Sequence, residues 1–94
     1  MSMRKFASVW DAIEPSRADA ASMKARSELM MAVHGAIESW KITQAMAAKR
    51  LGITQPRLND LLRGRINKFS LDALVDLADA AGLSVRVKIT RQAA

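Results

Sequence analysis

The stretch Thr43-Gln-Ala-Met-Ala-Ala-Lys-Arg-Leu-Gly52-Ile-Thr-Gln-Pro-Arg-Leu-Asn-Asp-Leu-Leu-Arg-Gly64 decides the reading of this chain. Thr43 is placed to cap a helix from Gln44 to Leu51, and Gly52 supplies its left-handed stop. Thr54 caps the next helix, Gln55 to about Arg63, where Pro56 in the first turn lacks only an N–H that would be orphaned anyway. Gly64 closes it. Ala48 is small where the two helices must cross, Ile53 plugs the junction, and Leu58 and Leu61 pin the second helix to a core. Its other positions face outward. One or two of these matches are cheap by chance, but all of them in one register define two helices joined by a tight turn, the second presenting a polar face.

Charge supports that reading. Between Lys41 and Lys68 stand Lys41, Lys49, Arg50, Arg57, Arg63, Arg65 and Lys68 against the single acid Asp60, a net +6. The remainder of the chain holds eight bases and eight acids and sums to zero. All the excess charge therefore lies in the block from Lys41 to Lys68 that contains the two-helix stretch, the footprint of a polyanion-binding face. The pattern reads as a helix-turn-helix whose second helix reaches a major groove.

Outside this motif, Phe6, Val9, Trp10 and Ile13 recur at i, i+3, i+4, i+7, a short amphipathic segment that Pro15 ends. Ser16 is a plausible cap for a long helix to about Trp40, with Leu29, Met30, Val33, Ile37 and Trp40 as its apolar stripe. Gly35 inside that helix costs roughly 1 kcal/mol relative to alanine, which suggests close helix packing there. Ser70 caps a further helix, Leu71 to Ala81, with apolar Leu71, Leu74, Val75 and Ala78, and Gly82 ends it. Then the period changes to two: Leu83, Val85, Val87 and Ile89 alternate with Ser84, Arg86, Lys88 and Thr90. A strand without a neighbour is not stable, so this one is expected to pair with its copy, antiparallel across a two-fold axis, the alternative being a frayed tail. The expected layout is an N-terminal amphipathic segment (1–15), a helix-turn-helix domain (16–82), a dimerisation strand (83–90) and a tail (91–94). The fold class is mainly α, a bundle of four to five helices with a C-terminal strand pairing across a dimer.

Composition removes several function classes. No cysteine is present and His34 is the one histidine, so a zinc site is implausible and no cofactor or metal is expected. The chain lacks Gly-x-Ser-x-Gly, a phosphate loop and clustered histidines, so an enzyme is not expected. Glu28 and Glu38 have no nearby feature to make them a catalytic pair, and His34 reads as structural. The longest uncharged run, Leu29 to Ile37, is nine residues, far short of the roughly 20 that span a bilayer. Asp11 interrupts what could otherwise be a signal segment, and a cytoplasmic, reducing setting is expected. The basic block has no aromatic platform before Phe69, which argues against single-stranded RNA.

The residues from about Leu29 to Ala81 resemble the lambda-repressor-like (Xre) helix-turn-helix family, with Gln44 and Gln55 opening the two motif helices. Ser8-Val-Trp-Asp-Ala-Ile13, Thr54-Gln-Pro-Arg57 and Phe69-Ser-Leu-Asp-Ala-Leu74 look more narrowly like HigA-type antitoxins of toxin–antitoxin pairs. The resemblance implies a dimeric repressor on a palindromic operator of double-stranded DNA, one Gln55 helix in each half-site, with a RelE-type toxin as a further partner. A stand-alone regulator without a toxin, or an interaction module with non-specific DNA affinity, is the alternative. Gln55, Pro56, Arg57 and Asp60 are the candidate base contacts. Glutamine suits adenine, arginine the two acceptors of guanine, proline a thymine methyl, and a carboxylate the cytosine amine. Two of these have competing roles: Arg57 could hold a phosphate instead, and Asp60 could pair with Arg57 or Arg63 at i±3. Gln44, Thr54, Arg63, Arg65, Asn67 and Lys68 are the candidate phosphate contacts. Leu83, Val85, Val87 and Ile89 would form the dimer contact. Phe6, Val9, Trp10 and Ile13 would dock on the first helix or cover a partner.

Overall fold

A computed structural model of the chain describes residues 17–92. The Phe6, Val9, Trp10 and Ile13 stripe, the Pro15 stop and the Ser16 cap lie outside the described residues. Among the described residues four α-helices follow one another: α1 (Arg17–Trp40), α2 (Gln44–Leu51), α3 (Gln55–Leu62) and α4 (Leu71–Ala80). A single turn of 3-10 helix, Ile66–Lys68, lies between α3 and α4. The long helix α1 packs mainly against α4, while α2 packs against α3.

The short helices are defined by their ends. The Thr43 hydroxyl accepts from the Met46 N–H at 3.2 Å, that of Thr54 from the Arg57 N–H at 3.2 Å, and that of Ser70 from the Ala73 N–H at 3.1 Å. Each hydroxyl satisfies one of the donors that a helix start leaves unpaired. Between α2 and α3, Gly52 adopts φ 74°, and the Gly52 and Ile53 N–H groups return to the carbonyls of Lys49 and Ala48. That left-handed step makes the turn tight, and Ile53 packs against the core beside it. The chain leaves α1 differently, through Lys41 in the left-handed region at φ 53°.

Met30, Val33 and Ile37 of α1 are buried, with Leu29 and Trp40 packed at the edge of the same core. Ala47, Ala48 and Leu51 of α2, Leu58 and Leu61 of α3, Phe69, and Leu74, Leu77 and Ala78 of α4 complete it. The expected stripes hold, with one shift. Leu77 is buried while Leu71 is exposed and Val75 stays outside the core, so the inward face of α4 is turned from Leu71 and Val75 toward Leu77.

Two expectations are corrected here. Gly35 is exposed, and among the described residues a Cβ built on it would meet nothing within 4 Å, so close packing of another described element does not explain it. Among the described residues no strand is formed: residues 83–92 carry no regular structure. Strand geometry is defined by a hydrogen-bonded ladder, and among the described residues this segment forms none. Leu83 also parts company with the alternation. Its N–H bonds the Ala78 carbonyl at 2.9 Å and its side chain packs on its own core, as the residue after a left-handed helix stop often does. Val85, Val87 and Ile89 stay exposed.

Candidate nucleic-acid interface

The surface of α3 follows from which residues anchor it. Leu58 and Leu61 are fully buried on one side of the helix, and the exposed residues Gln55, Pro56, Asn59 and Arg63 lie around the other side and at its ends. Asn59 was not among the sequence candidates. Projecting the helix from Leu58 and Leu61 at 100° per residue puts it on the outward face, the signal that would have found it. Gln44 is exposed at the start of α2, and Asn67 and Lys68 are exposed on the 3-10 turn. The hydroxyl of Thr54 is committed to the cap of α3, which leaves this residue a positional role at the helix start.

Arg57 is not free to extend from the helix. Its guanidinium donates to the Lys68 carbonyl at 2.6 Å and lies 4.0 Å from the centre of the Phe69 ring. Phe69 is only 1% exposed, and Arg57 roofs it. To reach a base, Arg57 would give up the hydrogen bond, worth about 1–2 kcal/mol, and the ring contact, about 0.5–1 kcal/mol. A bidentate base contact returns about 1–3 kcal/mol. The exchange leaves little net gain.

Asp60 pairs, but not with the helical neighbours Arg57 or Arg63. Its carboxylate lies 3.2 Å from Arg65 and 3.8 Å from Lys68. Chain reversal after α3 is the cause: Gly64 turns left-handed at φ 72°, and the Arg65 N–H bonds the Asp60 carbonyl at 3.0 Å, which brings the Arg65 side chain back over the helix. Arg65 and Lys68, both candidate phosphate donors, are thereby tethered to α3. Arg63 remains exposed. Further along the basic surface, Arg50 stacks 4.1 Å from the centre of the Trp40 ring.

A residue absent from the sequence candidates holds this region from behind. Arg26 of α1 sits in line with Met30, Val33 and Ile37, and its guanidinium reaches the carbonyls of Ile66 and Phe69, each at 3.4 Å. A charge on an otherwise apolar stripe was the clue. His34, on the same helix, is half-buried, with Nδ1 3.5 Å from a Glu38 carboxylate oxygen. It borders an open groove of about 270 Å³ with Met30, Met31, Leu61, Leu62 and Ile66. Its neighbours on that groove are mostly apolar. No helix among the described residues is long and apolar enough to cross a membrane.

Two short helices joined at a left-handed glycine, the second exposing a polar face within a basic surface, define a helix-turn-helix DNA-binding domain. A helix-turn-helix domain family matches residues 12–90. A solved structure described as a putative XRE family transcriptional regulator superposes with a TM-score of 0.73 at 31% identity, over 79% of this chain and 83% of that one. No curated protein matches the chain. The chain belongs to the XRE family of helix-turn-helix transcriptional regulators.

Proposed function

We propose that this protein is a dimeric, sequence-specific repressor that places one α3 helix in each of two major-groove half-sites. The observation that carries this reading is the exposed polar face of α3, fixed by Leu58 and Leu61 and flanked by the basic loop after it. Gln55 suits adenine, Pro56 a thymine methyl, and Asn59 a second adenine edge one turn further along. Gln44, Arg63 and Asn67 line the backbone, with Arg65 and Lys68 adding charge from their tethered positions. Two-fold symmetry implies a palindromic operator with half-site centres about 34 Å apart or a multiple of it. The exposed Val85, Val87 and Ile89 support pairing of residues 83–90 with a second copy as an antiparallel strand. The protein acts by binding and not by catalysis, in the cytoplasm.

The sequence resemblance supports a narrower setting, an antitoxin that represses its own operon and neutralises a RelE-type messenger-RNA-cleaving toxin. Co-expression with the product of an adjacent RelE-like reading frame tests it: a stable complex and relief of growth arrest are expected. Independent behaviour of the two proteins would leave a stand-alone regulator.

DNA reading is tested by fluorescence anisotropy on DNA from the protein's own promoter against scrambled DNA. Preference for the promoter, lost in Gln55→Ala/Asn59→Ala, is expected. Each lost base contact should cost about 1–3 kcal/mol. Equal, salt-sensitive binding of both DNAs would reduce the basic face to an electrostatic surface.

A further inference from the structure

We infer that Arg57 is a positioning residue, which with Asp60 clamps Lys68 from two sides and locks the 3-10 turn to the recognition helix. The inference rests on the DNA-binding reading above and assigns Arg57 a role other than base or phosphate contact.

Lys68 is held at both of its ends. Arg57 donates to its backbone carbonyl at 2.6 Å, and the Asp60 carboxylate lies 3.8 Å from its ammonium. Asp60 also holds Arg65, the residue that begins the turn, at 3.2 Å. Arg57 and Asp60 leave α3 at different points along the helix, so the helix grips the following segment twice. Phe69 sits at the centre, its ring buried against the core and roofed by the Arg57 guanidinium. Arg26 of α1 reaches the carbonyls at the two ends of the same segment, Ile66 and Phe69.

The consequence concerns register. Base-facing Gln55 and Asn59 stand on α3, while Asn67 and Lys68 stand on the turn. A rigid link between the two fixes the distance from groove to phosphate before DNA arrives, so less ordering is needed on binding. Guanidinium geometry permits this double contact, because one planar group can stack on a ring and donate in its own plane to a carbonyl. Lysine would keep the charge and lose that combination.

The test uses a duplex selected by the wild-type protein from a pool of randomised duplexes, together with a series carrying each single base-pair change. Arg57→Lys, Arg57→Met, Phe69→Leu and the double variant Arg57→Met/Phe69→Leu are titrated by anisotropy at several salt concentrations. A positioning role gives an affinity loss of about tenfold for Arg57→Lys, in line with the ring and hydrogen-bond contacts removed. That loss is spread evenly over the base-pair series, with an unchanged salt slope. Phe69→Leu reproduces it, and the double variant is no worse than Arg57→Met, because both substitutions break one unit. If Arg57→Lys flattens preference at one base pair of each half-site and Phe69→Leu does not, Arg57 reads a base and the inference fails. It fails equally if Arg57→Lys is silent while Arg57→Met lowers the salt slope by about one, the signature of a phosphate contact. Melting curves accompany each variant. Should Phe69→Leu not fold, the Arg57→Lys profile decides alone. Failure of the wild type to select any sequence would bring down the DNA-reading proposal itself, an outcome separate from the other two.

Discussion

Among the described residues, nothing stands within reach of a methyl group added at Gly35 on the exposed face of α1, where the backbone is already helical. The glycine therefore carries the entropic cost of its freedom in the unfolded chain with no packing return. Gly35→Ala is expected to stabilise the protein by about 0.5–1 kcal/mol, read as a higher urea midpoint at unchanged slope. No gain, or a loss, would show that this face of α1 meets something a methyl group obstructs. The same residue shows where sequence reading stops. Helical position was legible from the stripe of Met30, Val33 and Ile37 around it, but whether anything lay opposite Gly35 depends on the placement of other elements. Asp60 is a parallel case. Its need for a cation was legible, whereas its partners Arg65 and Lys68 come from beyond a glycine turn and break the i±3 rule.

Helices α2 and α3 have eight residues each, too few to persist in isolation, so their ends and buried contacts must hold them. That is why the motif was readable in advance. Thr43, Gly52, Thr54 and Gly64 are boundary residues with local geometry, and Leu58 and Leu61 give the one face that must be covered. The 3-10 turn was not readable, because its order comes from Arg26, Arg57 and Asp60 reaching in from other elements. Asn59 lay in plain view on the outward face, yet the strong signals of the first turn of α3 overshadowed it. Thr54→Ala is expected to cost about 1 kcal/mol of stability, and Thr54→Ser much less, since serine keeps the accepting oxygen. The cap bonds the Arg57 N–H, so Thr54→Ala should also weaken binding to the selected duplex, by more than Thr43→Ala does at the start of α2. Equal losses of binding from the two variants would mean that helix stability alone sets affinity.

At the scale of the molecule, the charge block was fully legible in the sequence, whereas the strand expected over residues 83–90 is not formed among the described residues. Alternation along residues 83–90 announced a strand, but no ladder among the described residues makes it one. Leu83, counted with that face, belongs to the core of its own chain. The remaining apolar positions are unusually open, with Val87 80% and Ile89 87% exposed. Side chains of this kind in a row invite edge-to-edge pairing unless charge blocks it, and here Arg86 and Lys88 alternate with the apolar row and would fall on the opposite face of a strand. Pairing with a second copy would cover the apolar row and join two α3 helices into one reader of a palindrome. Val87→Asp/Ile89→Asp sets like charges against each other across that seam while leaving the described core untouched. Sedimentation equilibrium is expected to find the wild type dimeric and this variant monomeric at the same concentration, with the melting of the helical domain still cooperative. Affinity for a full palindrome should fall by roughly 100-fold or more, because each half-site must then be bound without a linked neighbour. Affinity for an isolated half-site should be almost unchanged, and that contrast separates lost dimerisation from damaged DNA reading. A variant that remains dimeric would move the two-fold axis to another surface, with the open Met31 side of α1 the next place to look.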